Sequence, residues 1–340
     1  MSRPVPPSLR KRIQWWGRWA RGRLDQGIGR QRFYDPHRDP SRSLYVASWQ
    51  RSGSTWLAEM VASAPRTRLI YEPANVRQRL YLDGEPRLAE LPLSGPDDDL
   101  GADGIALQRA ASGAFRSSWT EQMNRARRPE RRVIKDVRTV GVLPWFTATM
   151  PDVPTVLLLR HPLAVAHSIL ELGWSTSAEL LDPESGVTDP VLRARIRSRA
   201  LLVEVGQWAA HHSWAMSHVG ASSVHVIFYE DLVEDPRGEL DRLGNHVGRF
   251  HETWRTWTPD PASIARPSAT SFRRSSTANA ATWIETWTDR YDAETLDEAM
   301  AILGAYGMDR LYAMSPRPLL SATDAIAAMA SGLGPMSTER

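Results

Sequence analysis

Five short apolar segments alternate with longer amphipathic stretches, and this alternation constrains the fold more than any other feature of the sequence. The segment 155–159 (TVLLL) is almost wholly apolar, as expected of a strand that is buried on both faces of a parallel sheet. The other four predicted strands fall at 43–48, 68–71, 132–137 and 224–228. Helices are predicted over 56–64, 105–126, 163–171, 191–218 and after Asp292. The pattern predicts an α/β fold: a doubly wound, mostly parallel sheet of about five strands in a single domain.

Extensions are predicted at both ends of the main domain, which covers residues 43–315. Residues 1–42 form a basic, Trp-rich extension, in which 8–30 has the spacing of an amphipathic helix typical of membrane interfaces. A helix that packs on its own domain or on a partner is the alternative. Residues 316–340 are rich in Pro, Ser and Gly, which is typical of a mobile tail.

Charge and cysteine content exclude several classes of protein. Lys and Arg number 42 against 39 Asp and Glu, so the net charge of +3 argues against a general nucleic-acid binder. The chain has no cysteine, which excludes disulfides and Cys-based zinc sites. No stretch approaches the 18 or so consecutive apolar residues of a membrane span. We therefore expect a cytoplasmic protein, which associates with a membrane only if residues 8–30 bind one.

The first motif is Arg51-Ser52-Gly53-Ser54-Thr55-Trp56, between a predicted strand and a predicted helix. Such a turn points backbone N–H groups and the positive end of the helix dipole at an anion. Aligned with the triphosphate-binding pattern GxxxxGK[ST], the chain has Ser54 where that pattern has Lys. The motif therefore predicts an anion-binding turn, similar to a P-loop, that lacks the lysine that grips a γ-phosphate.

Two further motifs lie at the ends of later strands. Arg160 ends the fourth strand and Ser168 follows two turns into the next helix, so one charge and one hydroxyl could bind a second phosphate. Tyr229-Glu230-Asp231-Leu232 closes the fifth strand, where Glu230 and Asp231 could also act merely as a cap.

Together the three motifs resemble the family of sulfotransferases that use 3′-phosphoadenosine 5′-phosphosulfate (PAPS). Their order and spacing are similar to that family's 5′-phosphosulfate loop, its 3′-phosphate motif and its YEDL segment. The likeness is to a bacterial member, closer to the carbohydrate branch than to the cytosolic small-molecule branch. It implies transfer of a sulfuryl group from PAPS to a hydroxyl or amine acceptor, with PAP as the second product.

The resemblance also implies roles for individual residues. Arg51 would contact the oxygen that bridges phosphate and sulfate, and Trp56 and Tyr229 would lie near adenine. The 5′-phosphate would be bound by Ser52, Gly53, Ser54 and Thr55. The 3′-phosphate would be bound by Arg160 and Ser168, with Arg273 and Arg274 on a late loop that closes over it.

The catalytic base has two candidates. The cytosolic branch has Lys-Thr-His at the end of its third strand, whereas this chain has Lys135-Asp136-Val137 and lacks that histidine. Lys135 could neutralise the sulfuryl group. The carbohydrate branch has an acidic residue before proline after its second strand, and Tyr71-Glu72-Pro73 matches it. Glu72 is the first candidate base and Asp136 the second.

Two other functions remain open from the sequence. A nucleotide kinase or NTPase of related architecture would need magnesium, whereas sulfuryl transfer with these cations needs no metal. A non-catalytic adaptor would bind nucleotide and dock through residues 8–30. The YEP segment favours a glycan, a glycolipid or another lipid-linked molecule as acceptor.

Overall fold

The computed structural model describes residues 34–75, 93–174, 187–220, 222–264, 284–285 and 287–330. The five predicted strands are confirmed, and they form one parallel sheet in the order β2-β3-β1-β4-β5. The strands are β1 (Ser43–Ser48), β2 (Thr67–Tyr71), β3 (Arg131–Asp136), β4 (Thr155–Leu159) and β5 (His225–Phe228). The α/β fold with a doubly wound sheet is therefore as the sequence predicts.

Helices connect and flank these strands. Those before β5 are α1 (Ser54–Ala62), α2 (Gly101–Ala111), α3 (Leu143–Thr149), α4 (Pro162–Glu171), α5 (Pro190–Ser198) and α6 (Ala200–His218). Those after β5 are α7 (Tyr229–Glu234), α8 (Pro236–Val247), α9 (Glu252–Arg255), α10 (Pro261–Ile264), α11 (Ala293–Ala305) and α12 (Ala322–Ala330). Short 3-10 turns occupy Pro40–Arg42, Val140–Val142 and Met308–Arg310.

Both faces of the sheet are covered, and β1 and β4 send their helices to opposite faces. Helix α1 packs with Val46 and Val156 on one face. Helix α4 packs with Ala47 and Leu157 on the other face, together with α6. Since β1 and β4 are neighbours in the sheet, the crevice between their carboxyl ends is the topological switch point where α/β proteins bind ligands.

Two helix predictions are wrong in extent. The helix predicted over 105–126 ends at Ala111, because Gly113 has a positive φ of 70° and a side chain there would meet Arg132. The single helix predicted over 191–218 is broken at Arg199, whose backbone is extended. The Arg199 guanidinium contacts Thr295 and Glu298 on α11, at 3.1 and 2.9 Å, and this distant contact leaves no local signal in the sequence.

The C-terminal region packs onto the main domain. Asp292 caps α11 by accepting a hydrogen bond from the Thr295 N–H, as predicted. Within the segment predicted as a tail, α12 packs against α6 and β5, and its Ala325 is buried. The predicted helix over 8–30 lies outside the described residues. No helix in the described ranges is both long and apolar enough to span a membrane.

Candidate active site

The loop after β1 holds the first motif in a strained, tightly packed turn. Arg51 has a positive φ of 65°, and Gly53 has a φ of 89° and precedes the first residue of α1. A Cβ atom on Gly53 would lie 2.5 Å from the Tyr229 ring, so no residue other than glycine fits at position 53. The Ser52 hydroxyl is buried and has no hydrogen-bond partner among the described residues. A buried hydroxyl beside a helix N-terminus fits an anion, such as the 5′-phosphate.

Arg51, Arg160, Ser168 and Tyr229 meet around this loop. The Arg51 Nε donates to the Ser168 Oγ at 3.1 Å. The Arg160 guanidinium donates to the Arg51 carbonyl at 2.9 Å and lies 4.4 Å from the centre of the Tyr229 ring. Burial, and then the charge of Arg160, lower the pKa of Arg51. Two cations at the carboxyl edges of β1 and β4 therefore face the same space, which a bound anion would stabilise.

Trp56 lies in the core beside Tyr229, with ring centres 6.3 Å apart. Both side chains are at most 8% exposed. Because so little of either ring is accessible, only a small part of the Trp56 indole is available for contact with adenine.

Glu72 and Lys135 form a buried ion pair at the same edge of the sheet. Tyr71 pairs with Lys135 in the β2–β3 register, so Glu72 emerges directly beside the lysine. The Lys135 Nζ lies 2.5 Å from the Glu72 Oε1, and the Asn75 amide donates to Oε2 at 3.3 Å. Burial alone would raise the pKa of Glu72, but Lys135 and Asn75 together hold it below its usual value. Glu72 also has a positive φ of 41°, and strained backbone of this kind is common at functional sites.

Asp136, the second candidate base, is held inside the fold. Its side chain is fully buried and accepts hydrogen bonds from the N–H groups of Ala74, at 2.7 Å, and Arg138, at 2.9 Å. Burial raises its pKa to about 6, although both hydrogen bonds favour the charged form. The bond from Ala74 connects Asp136 to the turn that follows Glu72, a contact that the spacing in the sequence does not reveal.

Tyr71 is a site residue that the sequence reasoning missed, except as a letter of the YEP segment. Its ring lies 4.7 Å from the Lys135 Nζ. Burial, followed by the charge of Glu72, raises its pKa. The Tyr71 side chain thus lies beside the Glu72–Lys135 pair. Its position at the end of a predicted strand, next to the candidate base, is the signal that could have identified it.

Arg273 and Arg274 lie outside the described residues. In the described ranges, no group of three or more His, Asp and Glu side chains is arranged to hold a metal ion. His211 and His212 are buried within α6, where each uses its Nδ1 atom on a backbone carbonyl one turn away.

The sulfotransferase family matches residues 43–253, a span that includes the motifs around Arg51, Arg160 and Tyr229. The chain belongs to this family and is a PAPS-dependent sulfotransferase, as the motifs predict.

Solved structures of sulfotransferases are similar to the chain at low sequence identity. One from Alicyclobacillus acidocaldarius is 16% identical with a TM-score of 0.37, over 77% of this chain and 95% of the other. One from Mycobacterium avium is 15% identical with a TM-score of 0.42, over 88% and 84%. A retinol dehydratase in a complex with retinol and PAP is 19% identical with a TM-score of 0.37, over 85% of this chain and 86% of the other. No curated protein matches the chain.

Proposed function

We propose that the chain transfers the sulfuryl group to a hydroxyl or amine with Glu72 as the general base. The observation that supports this most is the buried Glu72–Lys135 pair at the same sheet edge as Arg51 and Arg160. Sulfuryl transfer needs in-line positioning and stabilisation of negative charge, which cations and loop amides supply. The acceptor oxygen or nitrogen bonds to sulfur, the bond from sulfur to the phosphate oxygen breaks, and the acceptor's proton passes to Glu72.

Lys135 would have two partners during this reaction. While it contacts Glu72, the carboxylate is a weak base, because the neighbouring positive charge stabilises its ionised form. If the ammonium moves toward the sulfuryl oxygens, it neutralises charge there and makes Glu72 more basic at the moment of proton transfer. The pair thus supplies an acid–base function only in the presence of the donor.

The nucleotide would be positioned by the residues around the β1–β4 crevice. Arg51 would bind the oxygen between phosphorus and sulfur, and the amides and hydroxyls of 52–55 would bind the 5′-phosphate. Arg160 and Ser168 would bind the 3′-phosphate, with Arg273 and Arg274 completing that site. Trp56 and Tyr229 would border the adenine.

The direct experiment measures transfer from ³⁵S-labelled PAPS to a panel of glycans, glycolipids and phenols. Sulfation of one acceptor class in the panel, lost in Arg51→Ala, supports the proposal. A sugar-bearing or lipid-linked acceptor is expected from the YEP segment. PAP binding with no transfer to any member of a broad panel would instead favour the adaptor.

The kinase alternative differs in its metal requirement. The chain has Ser54 where a triphosphate loop has lysine, so transfer is expected to continue in EDTA. Loss of transfer in EDTA, restored by magnesium and accompanied by ATP turnover, would establish the kinase.

Contact of residues 8–30 with anionic lipid is a further part of the proposal. Deletion of residues 1–30 should abolish co-sedimentation with phosphatidylserine vesicles and leave PAP affinity unchanged. Equal sedimentation of both proteins would favour a helix that packs on the domain or on a partner.

A further inference from the structure

Glu230, the second residue of α7, links two distant parts of the chain. Its side chain is buried, and Oε1 accepts a hydrogen bond from the backbone N–H of His161 at 2.9 Å. Oε2 accepts one from the Tyr312 hydroxyl at 3.0 Å. One carboxylate therefore joins the β4–α4 turn to the segment that follows α11.

His161 closes these contacts into a ring. Its Nε2 lies 3.0 Å from the Ala313 carbonyl, and its Nδ1 accepts from the Leu163 N–H at 3.3 Å, so the proton is on Nε2. Because Ala313 is bonded to Tyr312, the path His161–Glu230–Tyr312–Ala313 returns to His161. We call these four residues the Glu230 ring. Trp287 stacks on the His161 imidazole with ring centres 4.3 Å apart, and this contact shields the imidazole from water.

A buried carboxylate in such a ring has an energetic cost. Burial raises the pKa of Glu230 to about 7 even though His161, Arg160 and Tyr312 all favour its charged form. An apolar side chain at this position would avoid this cost, so the buried carboxylate of Glu230 indicates a role beyond packing.

The Glu230 ring is directly bonded to both members of the Arg160–Tyr229 contact. Arg160 precedes His161, and Tyr229 precedes Glu230. The hydrogen bond from the His161 N–H to Glu230 therefore holds together the two backbone segments that carry Arg160 and Tyr229, whose guanidinium and phenol ring lie 4.4 Å apart. Small displacements of a phosphate-binding guanidinium weaken its bonds steeply, because these bonds require short distances and good alignment.

We propose that the Glu230 ring positions Arg160 for recognition of the nucleotide's 3′-phosphate, and that Glu230 and Tyr312 are positioning residues for this site. The inference rests on the role of Arg160 given under Proposed function. It predicts that Tyr312, which contacts Glu230 and no described residue of the nucleotide site named above, affects nucleotide selectivity.

The test compares the affinities for PAP and AMP, which differ by the 3′-phosphate, in Tyr312→Phe and in a matched control. Tyr45→Phe is the control, because Tyr45 is also fully buried and its hydroxyl donates one hydrogen bond, of 2.9 Å, to Thr139. Tyr312→Phe should lower the preference for PAP over AMP by about three- to tenfold, the effect of one misplaced hydrogen bond. Tyr45→Phe should leave the preference unchanged at a similar loss of stability. Both affinities are measured by titration calorimetry.

Two further variants separate this inference from the function on which it depends. Arg160→Ala should abolish the preference, and adding Tyr312→Phe should then change nothing more. If Arg160→Ala keeps the preference, the 3′-phosphate assignment itself is wrong. If Arg160→Ala abolishes it while Tyr312→Phe behaves as Tyr45→Phe does, only the positioning role is overturned. His161→Phe keeps the stack on Trp287 but removes the bonds to the Ala313 carbonyl and the Leu163 N–H, and should give the same loss if Tyr312→Phe does not fold.

Discussion

The two ends of the sheet both contain arginines, but their partners differ. At the amino ends of β2 and β3, Arg68 and Arg132 are almost completely buried and are neutralised by carboxylates. Arg68 contacts Asp35 at 3.0 Å and Glu121 at 3.1 Å, and Arg132 contacts Asp35 at 3.2 Å.

At the carboxyl ends, the arginines have different contacts. Arg51 donates to a serine hydroxyl, and Arg160 donates to a carbonyl and lies over a tyrosine ring. A guanidinium that is neutralised by carboxylates stabilises the fold, whereas the Arg51 guanidinium, which donates to the Ser168 hydroxyl, can also bind an incoming anion. The difference separates the structural edge of the sheet from the candidate active site.

The largest effect is expected for Glu72→Gln at the carboxyl edge. The amide keeps the size and most hydrogen bonds of the side chain but cannot accept a proton, so turnover should fall about 10²–10⁴-fold. PAP affinity should change little, since the anion-binding turn is intact. Single-turnover transfer and PAP titration measure the two quantities. Near-normal turnover would rule out Glu72 as the base, and a parallel loss of PAP affinity would indicate a structural role.

The comparison of the two edges is tested most directly by Arg68→Met and Arg51→Met. Arg68→Met leaves Asp35 and Glu121 buried without their cation and should lower the free energy of unfolding by about 3–5 kcal/mol. Arg51→Met should cost about 1 kcal/mol or less and abolish transfer. Urea denaturation measures the free energy of unfolding of both variants. Equal losses of stability would contradict the division into a structural edge and a binding edge.

Arg160→Ala should have an intermediate effect, confined to nucleotides that carry a 3′-phosphate. Loss of a charge-assisted contact typically costs about 1.5–3 kcal/mol, or roughly 10–150-fold in affinity. PAP affinity should fall by this factor while AMP affinity stays nearly constant. An equal fall for both nucleotides would mean that Arg160 supports the loop through the Arg51 carbonyl and does not recognise the 3′-phosphate.

The last prediction is a pH dependence of stability from Asp136. Its pKa is about 6 in the folded protein against 3.8 as the usual value, so the native state binds the proton more tightly. This contribution is complete at low pH and is lost as the pH rises through about 4–6, by roughly 2–3 kcal/mol. Asp136→Asn should remove that slope from unfolding curves measured between pH 4 and 7. An unchanged slope would show that other groups cause it.

The sequence by itself determined the strands, the order of the motifs and the family. Apolar runs such as 155–159 and turn residues such as Gly53 determine local backbone structure, so their pattern can be recognised without knowledge of distant contacts. The parallel sheet then places Arg51 and Arg160 at one edge, because the carboxyl ends of neighbouring parallel strands lie together.

Only the tertiary structure shows how the surroundings of Glu72 and Asp136 differ. The sequence ranks Glu72 first and Asp136 second as candidate bases, and in the structure Glu72 pairs with Lys135 whereas Asp136 is fully buried and bonded to the Ala74 N–H. The break at Arg199 and the Glu230 ring are also invisible in the sequence, since the residues that contact each other are about 70 to 150 positions apart along the chain. Burial and hydrogen bonding across such separations depend on how the elements pack, and local patterns carry no information about that packing.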